Sequence, residues 1–465
     1  MKAIGPISAG LYKVIKCSIE KKKFPTDWKT GKVTCLYKKG SKSNCNNYRP
    51  ITLLSVASKV LEKVILDQLT DHLKTQNLIS PNQWGFRTGR STESILLNMT
   101  EKWHSALDEG KVVACIFIDF KKAFDVVPHK TLFKKLQASG ISGSLYNIIT
   151  SYLSGRKQYT TVNGFESERL PVTTGVPQGS LLGPQLFSSD INDLPENVED
   201  GDTDMFADDS TCFEICNDYA EAFRKANLIL NQLKAWADRN GFRIHIDIGK
   251  TEIMFIAKNP FTGPLPSFNL GTHFINVTNK VKCLGLIIDN KLKWKDQTNN
   301  ICKNFNIKLK NLHKMRFLDQ KRIKDIYFKG ILPSILYCIA IWGGCLKSDM
   351  EKINAVHVKA ARFIQRIKKS VPDNKILEHA NWRSISWYCK RRTACITYKL
   401  FYEMDPNKNI ITKRIIDRNL RNNLQIQKHH FKSVKYKNSF NYRCATIWNK
   451  LPDKIKELDY DQFKK

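Results

Sequence analysis

The sequence predicts an α+β fold, and three features predict it. The runs Met205-Phe206-Ala207 and Thr211-Cys212-Phe213-Glu214-Ile215-Cys216 flank Asp208-Asp209; two strand-like segments joined at adjacent acids describe a β-hairpin with carboxylates at its tip. Val112 to Ile118 is continuously apolar, as in a strand buried on both faces. Several longer segments repeat apolar residues at helical spacing.

Residues 1–46 read as basic and turn-rich, ending in a strand-like Val33-Thr34-Cys35-Leu36-Tyr37. Asn47-Tyr48-Arg49-Pro50-Ile51 leads to a helix from about Ser58, with Val60, Leu61, Val64, Ile65, Leu69 and Leu73 in register. A glycine- and arginine-rich loop, Gln83 to Arg90, opens a second helix through Thr92, Ile95, Leu96, Met99, Trp103 and Leu107, which Gly110 terminates. After the 112–118 strand a helix is expected near 128–138, a hairpin over 159–174 around Asn163-Gly164, and a loop from Thr174 to Ser180 opening a helix at about Leu181. Asn217 or Asp218 caps the next helix, Ala222, Ala226, Ile229, Leu230, Leu233 and Trp236 form its apolar face, and Gly241 stops it. Strands are expected at 243–248, 251–257 and 281–288. From 291 onward the pattern is helical and basic, and Ile331 to Trp342 reads as buried core despite Pro333.

The 465 residues carry 76 Lys and Arg against 43 Asp and Glu, a formal charge of +33, which points to a polyanionic partner. The excess is uneven: 40 basic and 14 acidic residues fall in 291–465, leaving 36 and 29 in 1–290. The second part has the composition of a clamp for a phosphate backbone, and the first that of a body that must keep its acids. The 13 cysteines are dispersed, with no Cys-x-x-Cys pair and no histidine at zinc-ligand spacing after Cys212 and Cys216; this is the usage of a reduced intracellular protein rather than of a disulfide framework or zinc site. No apolar run is long enough to span a bilayer, and the basic start lacks a signal-peptide core, so no membrane partner is expected.

An acid at the end of a buried strand needs a partner or a task, and Asp119 follows directly on Ile118. If the Asp208-Asp209 hairpin pairs beside that strand, three carboxylates meet at one sheet edge. Carboxylates so close repel, and burial raises their pKa values unless a cation is present. Two divalent ions roughly 3.5–4 Å apart would then clamp the attacking and leaving oxygens of a phosphoryl transfer. Mg²⁺ suits such a site, since it takes a few carboxylates together with substrate phosphates. For Asp208-Asp209 alone, the alternative is an ordinary acidic turn.

Asn47-Tyr48-Arg49-Pro50-Ile51, Gly85-Phe86-Arg87-Thr88-Gly89-Arg90-Ser91-Thr92, Asp119-Phe120-Lys121-Lys122-Ala123-Phe124-Asp125, Gly175-Val176-Pro177-Gln178-Gly179-Ser180, Phe206-Ala207-Asp208-Asp209, Gly249-Lys250-Thr251 and Cys283-Leu284-Gly285 occur in this order. In them the chain resembles the reverse transcriptases of non-LTR (LINE-type, jockey-like) retrotransposons, from about residue 24 to 345. A looser match lies at Ile447-Trp448-Asn449-Lys450-Leu451-Pro452.

The resemblance implies a right-hand polymerase with an antiparallel-sheet palm, mostly helical fingers and a helical basic thumb. The expected divisions are an N-terminal extension and fingers over 1–111, and a palm over 112–290 with a finger segment at about 130–172. A thumb over 291–370 and a basic C-terminal helical region over 371–465 follow. The implied activity is RNA-directed DNA synthesis from deoxynucleoside triphosphates on an RNA template, extending a DNA or RNA primer. Its implied cofactor is a pair of Mg²⁺ ions, with Mn²⁺ as a substitute, and its implied setting is the nucleus and cytoplasm. Asp119, Asp208 and Asp209 would bind the metals, with the Phe120 carbonyl as a further ligand.

Phe124 would lie under the incoming sugar and exclude a 2′-hydroxyl, core packing being the alternative. Gln178 and Gly179 would pass close to template and nucleotide, a plain helix-opening turn being their alternative. Arg49 and Lys59 would meet the triphosphate and Arg87 the template backbone, or else stand as solvated surface charges. Lys250 would protonate the leaving pyrophosphate, although Asp247 stands where the family pattern has Asn. Cys283-Leu284-Gly285 would hold the primer end, and the lysines after 291 would track the duplex through its phosphates. Asp125 is expected to hydrogen-bond rather than bind metal.

The endonuclease domain and Cys/His knuckle common in the family are expected to be absent from this chain, and nothing resembles a ribonuclease H. Ser188-Ser189-Asp190 is more polar than the family tends to be there and is expected to weaken local packing. Two rival readings are a catalytically dead nucleic-acid-binding remnant and a mobile-intron reverse transcriptase with a splicing role.

Overall fold

The computed structural model describes residues 4–38, 40–413, 424–428, 431–432 and 434–464. In chain order its strands are β1 (Thr30–Tyr37), β2 (Tyr48–Leu53), β3 (Val112–Ile118), β4 (Arg156–Val162), β5 (Phe165–Glu166), β6 (Leu170–Val172) and β7 (Asp202–Phe206). They continue with β8 (Asp209–Cys216), β9 (Glu252–Ile256), β10 (Asn269–Leu270), β11 (His273–Phe274), β12 (Asn276–Val277), β13 (Lys280–Cys283) and β14 (Leu286–Asp289). The fold is mixed helix and sheet, and among the described residues no helix is long and apolar enough to cross a membrane.

The central sheet has the order β12-β9-β3-β8-β7. Strand β3 is its middle strand, antiparallel to both β8 and β9, and every residue from Val112 to Ile118 is buried. That double-sided burial is why the run is apolar throughout instead of alternating. Alternate residues of β3 serve opposite cores: Val113, Cys115 and Phe117 pack with Trp103 and Phe213, while Ala114, Ile116 and Ile118 pack with Trp236 and Phe242. The helix over Tyr219–Asn240 lies on the second face, capped by Asp218, whose side chain accepts from the Glu221 N–H, and ended by Gly241 at φ 72°. The left-handed conformation there favours glycine.

A second sheet is built on the antiparallel hairpin β1–β2, with β4 parallel to β1. The hairpin expected around Asn163-Gly164 is β4–β5, with both loop residues at positive φ, and β6 also pairs with β4. Helix Val56–Thr75 buries Leu61, Ile65, Leu69 and Leu73 along one stripe, and helix Thr92–Asp108 is capped by Ser91. The helix opened by the 174–180 loop is Gly183–Asp190.

Three expectations are corrected. Residues Ile4–Glu20, read as turn-rich, form a 17-residue helix. The segment 243–248 is not a strand: it makes a single bridge, Ile244 to Phe120, between Gly241 and Gly249, both in the left-handed region. The segment 281–288 is not one strand but the hairpin β13–β14, turned at Leu284-Gly285 with φ 44° and 87°.

Among the described residues beyond 291 helices dominate, the principal ones being Lys295–Lys314, Lys347–Ile364, Ile385–Phe401 and Phe440–Trp448. The last of these folds back on helix Thr92–Asp108. The buried Glu101 carboxylate accepts from Phe440 N at 2.7 Å and Asn441 N at 2.8 Å, so a side chain from the first quarter of the chain caps a helix near its end. Arg392 pairs with Glu93, and Asn407 Nδ2 donates to the Ser94 carbonyl at 2.7 Å. Glu101→Ala would leave two buried N–H groups unpaired at a helix start, and urea unfolding is expected to show a loss of about 2 kcal/mol. A loss within error of zero would mean that this docking adds nothing to the fold.

Candidate active site

Asp208 belongs to the two-residue loop joining β7 to β8, because Phe206 pairs with Asp209. Ala207 opens that loop at φ 58°, a conformation that favours glycine. The β3–β8 register ends with Ile118 opposite Ser210, so the next residues in line across the ladder are Asp119 and Asp209. The three acids, distant in sequence, therefore meet at one end of the central sheet.

Water is partly displaced from them. Burial raises the Asp208 carboxyl above the ordinary range, and Asp119 adds to that while Arg49 and Lys38 oppose it. Asp209, though open to solvent at its rim, is pushed up to about 6, first by burial and then by Asp208 and Asp119, with Lys250 and Lys38 opposing. Burial first, and the neighbouring carboxylates after it, thus disfavour the charged form of both acids at this edge.

Asp119 is fixed from the side of β9. Its N–H donates to Thr251 Oγ1 at 3.3 Å, its carbonyl accepts from His245 N at 2.7 Å, and Lys250 Nζ donates to Oδ2 at 2.5 Å. His245 Nδ1 lies 3.7 Å from the same oxygen, and its Nε2 reaches Asp247 at 2.8 Å. Among the described residues no three His, Cys, Asp or Glu side chains form a preformed cage; one oxygen of Asp119 is instead taken up by the Lys250 ammonium. The three acids offer oxygen donors only, which suits an ion that completes its shell with water and phosphate. The Phe120 ring is buried in a cluster with Trp236 and Phe242, which stack on each other, so its side chain serves the core and not the acids.

Phe124 is half-buried, stacked on Phe187 with centroids 4.4 Å apart and met edge-on by Phe86. Asp125 hydrogen-bonds, as expected: its Oδ1 accepts from Gln178 Nε2 at 2.9 Å, and burial raises its pKa. Gly175 and Gly179 are required by close approach, since a Cβ would lie 2.6 Å from the Asp125 carbonyl oxygen and 2.5 Å from that of Thr52. The 175–179 loop is thus sewn to residues 124–127 on one side and to β2 on the other, where Thr52 N donates to the Gln178 carbonyl at 2.7 Å.

Arg49 is exposed on β2, and its charge reaches Asp208. Lys59 lies in the first turn of the Val56–Thr75 helix and, among the described residues, pairs with none of the three acids. Arg87 is turned inward: its Nη1 donates to the carbonyls of Ser80 and Gln83 at 2.8 and 3.2 Å, which staples its own loop. Cys283 is buried, its thiol pushed up to about 12 by burial first and by the Asp209 charge second, which sets the Leu284-Gly285 turn near the acids.

Four residues escaped sequence reasoning. Lys38, at the end of β1, acts on both Asp208 and Asp209; its signal was its place just before the Asn47-Tyr48-Arg49 block. The buried Glu62 accepts from Leu181 N and Leu182 N at 2.8 and 3.4 Å, holding the turn after Ser180; an acid on an apolar helix stripe was the visible sign. The Tyr337 hydroxyl donates to the Leu284 carbonyl at 2.8 Å and accepts from Thr92 Oγ1 at 2.9 Å. Gln83, fully buried, accepts from Gly85 N at 2.7 Å and Ala207 N at 3.2 Å. Nothing local announced either of the last two.

The chain is 28% identical over 356 residues to the RNA-directed DNA polymerase from mobile element jockey of Drosophila melanogaster, covering 73% of this chain and 38% of that protein. It is 27% identical over 386 residues to the probable RNA-directed DNA polymerase from transposon BS of the same organism, covering 80% and 42%. The chain thus spans about two fifths of the length of these curated relatives. Among solved structures it is similar to telomerase from Candida albicans in complex with a fragment of telomeric RNA, with 12% identity and a TM-score of 0.41. That match covers 81% of this chain and 70% of that one. The family described as reverse transcriptase (RNA-dependent DNA polymerase) matches residues 37–288, more than half of the chain and the whole of the segment that carries the three acids. By that match, and with those acids gathered where β3 meets the β7–β8 turn, the chain belongs to the reverse transcriptase family.

Proposed function

We propose that the chain is the RNA-directed DNA polymerase of a non-LTR retrotransposon. The observation that carries this reading is the meeting of Asp119, Asp208 and Asp209 at one sheet edge, with Lys38, Arg49 and Lys250 around them. In the reaction the primer 3′-hydroxyl oxygen bonds to the α-phosphorus of a deoxynucleoside triphosphate. The bond to the bridging oxygen breaks, pyrophosphate leaves, and the hydroxyl proton passes to solvent. Two Mg²⁺ ions held by Asp119, Asp208, Asp209 and the Phe120 carbonyl would supply charge neutralisation at the attacking and leaving oxygens, with Mn²⁺ as a substitute.

The chain's own side chains position and neutralise. Arg49, Lys59 and Lys38 answer triphosphate charge, and Lys250 gives a proton to the departing pyrophosphate. Gln178 and Gly179 line the nucleotide's path, Arg87 holds the template-side loop, and Cys283-Leu284-Gly285 supports the primer end. The antiparallel sheet and its helices, 112–290, form the palm, with 1–111 and about 130–172 as extension and fingers. Residues 291–370 form the thumb, and 371–465 a basic region whose lysines and arginines follow the template–primer phosphates. The 13 free cysteines suit a reducing intracellular setting, nucleus and cytoplasm.

Extension of a primer on a defined RNA with Mg²⁺ and deoxynucleotides tests the reading: stepwise products are expected, and none from a folded protein would overturn it. Phe124 gives a second measurement. With its ring locked by Phe187, it presents a fixed edge to the sugar. Phe124→Val is expected to relax the preference for deoxy- over ribonucleotides about 10–100-fold in relative kcat/KM, the value of a lost steric contact of 1–3 kcal/mol. An unchanged ratio would assign the ring to core packing.

A further inference from the structure

We propose that Gln83 is a positioning residue for Asp208, acting through the Ala207 turn. This rests on the reading of the three acids as the metal site.

The loop residue before Asp208 is alanine in a left-handed conformation, which a glycine would adopt at lower cost. Something must hold it, and the segment 82–85 does. It adds to the free edge of β7: Met205 N donates to the Asn82 carbonyl at 2.9 Å and Trp84 N to the Met205 carbonyl at 2.8 Å. Trp84 Nε1 fixes the same strand lower down through Asp204 Oδ1 at 2.9 Å. Beyond Met205 the backbone pairing stops, and the Gln83 side chain takes over. Its Oε1 bridges Gly85 N and Ala207 N, joining the two chains at the turn.

Two further facts mark this as a built contact. Gln83 Nε2 is buried and has no partner among the described residues. The amide therefore carries an unpaired donor in order to present its oxygen to two N–H groups, which burial penalises unless the accepting side matters. Gly85 also admits nothing larger, because a Cβ there would lie 2.5 Å from Ala207 N. The turn is held by an acceptor and a close backbone contact, and Asp208 is the next residue along.

Manganese binding, followed by its paramagnetic signal in the full chain, tests this without relying on turnover. Gln83→Met keeps the volume and removes the acceptor; Gln83→Asn keeps the amide and withdraws it by one carbon. Both are expected to weaken Mn²⁺ binding about tenfold, in the range for loss of a group that orients a ligand. Gln83→Glu leaves an oxygen at the two N–H groups and is expected to stay within about threefold of wild type. Ala207→Gly, added to Gln83→Asn, lowers the cost of the turn and is expected to restore at least half of the lost affinity.

Folded Asn or Met variants that bind Mn²⁺ like wild type would overturn the proposal. Equal losses in all three Gln83 variants would overturn it too, since a purely structural role does not distinguish an acceptor from its absence. If the wild-type chain bound Mn²⁺ but extended no primer, the polymerase reading would fail while these comparisons still judged Gln83.

Discussion

Asp208→Ala is expected to reduce single-nucleotide incorporation by at least about 10³-fold, roughly 4 kcal/mol of barrier, while template–primer binding and folding persist. The reaction needs charge stabilisation at the phosphorus and little else from the protein, so a lost carboxylate is not compensated nearby. Stability should move the other way. The Asp208 carboxyl is raised by burial and by Asp119, and so is strained as an anion in the metal-free protein. Removing it relieves that repulsion, and the thermal midpoint is expected to hold or rise, the pattern of a site where function opposes stability. Asp119→Ala should abolish incorporation similarly, but it also frees Lys250 and gains less in stability. Single-turnover extension, filter binding on the same template–primer and thermal melts separate the three quantities. An Asp208→Ala protein that still incorporates within tenfold of wild type would remove the two-metal assignment.

Much of this site was legible because its chemistry is local in sequence. A seven-residue apolar run ending in an acid and two acids between strand-like runs each carry their meaning within a dozen residues, and pairing of β3 with β8 follows from both being apolar. Glycines that admit close backbone approach, such as Gly179 against Thr52, also advertise themselves. What escaped depends on partners far along the chain. Gln83 matters through a backbone N–H 124 residues away, and Glu101 through two that lie 339 and 340 residues away. Tyr337 reaches the Leu284 turn 53 residues before it and Thr92 245 residues before it. Propensity and periodicity cannot see such contacts, and described residues after 371 hold several of them, Arg392 to Glu93 and Asn407 to Ser94 among others. The basic start differs from its expectation for a local reason instead. Gly5, Pro6 and Gly10 suggest turns, yet they sit within or near the first turns of the Ile4–Glu20 helix, where proline is tolerated.

Ser188-Ser189-Asp190 was expected to weaken packing, and Asp190 supplies a pH-dependent test. Its side chain is fully buried, and neither carboxylate oxygen has a hydrogen-bond partner among the described residues. Lys135 Nζ bonds the Asp190 backbone carbonyl and the Asp193 carboxylate instead. Burial pushes the Asp190 carboxyl up to about 7, with Lys135 opposing and Asp193 adding to the rise. A folded pKa above the unfolded value of about 3.9 means that the native state holds the proton more tightly. Stability from this group is complete below about pH 4 and is lost as pH rises through 7. Glu101, also raised to about 7 by burial, contributes with the same sign. Asp190 and Glu101 should therefore each take stability from the protein between pH 5 and pH 8, opposite to the usual acid sensitivity of paired carboxylates, while His104 and His357, lowered to about 3 and about 4 by burial, act with the other sign as pH falls below about 6.5. Asp190→Asn mimics the neutral form and cannot ionise. Urea unfolding is expected to show it about 2–4 kcal/mol more stable than wild type at pH 8 and within about 1 kcal/mol at pH 5. The substitution removes only the Asp190 share of the pH dependence, because Glu101, His104 and His357 still titrate. An equal gain at both pH values, or none at pH 8, would mean that Asp190 finds a partner for its charge.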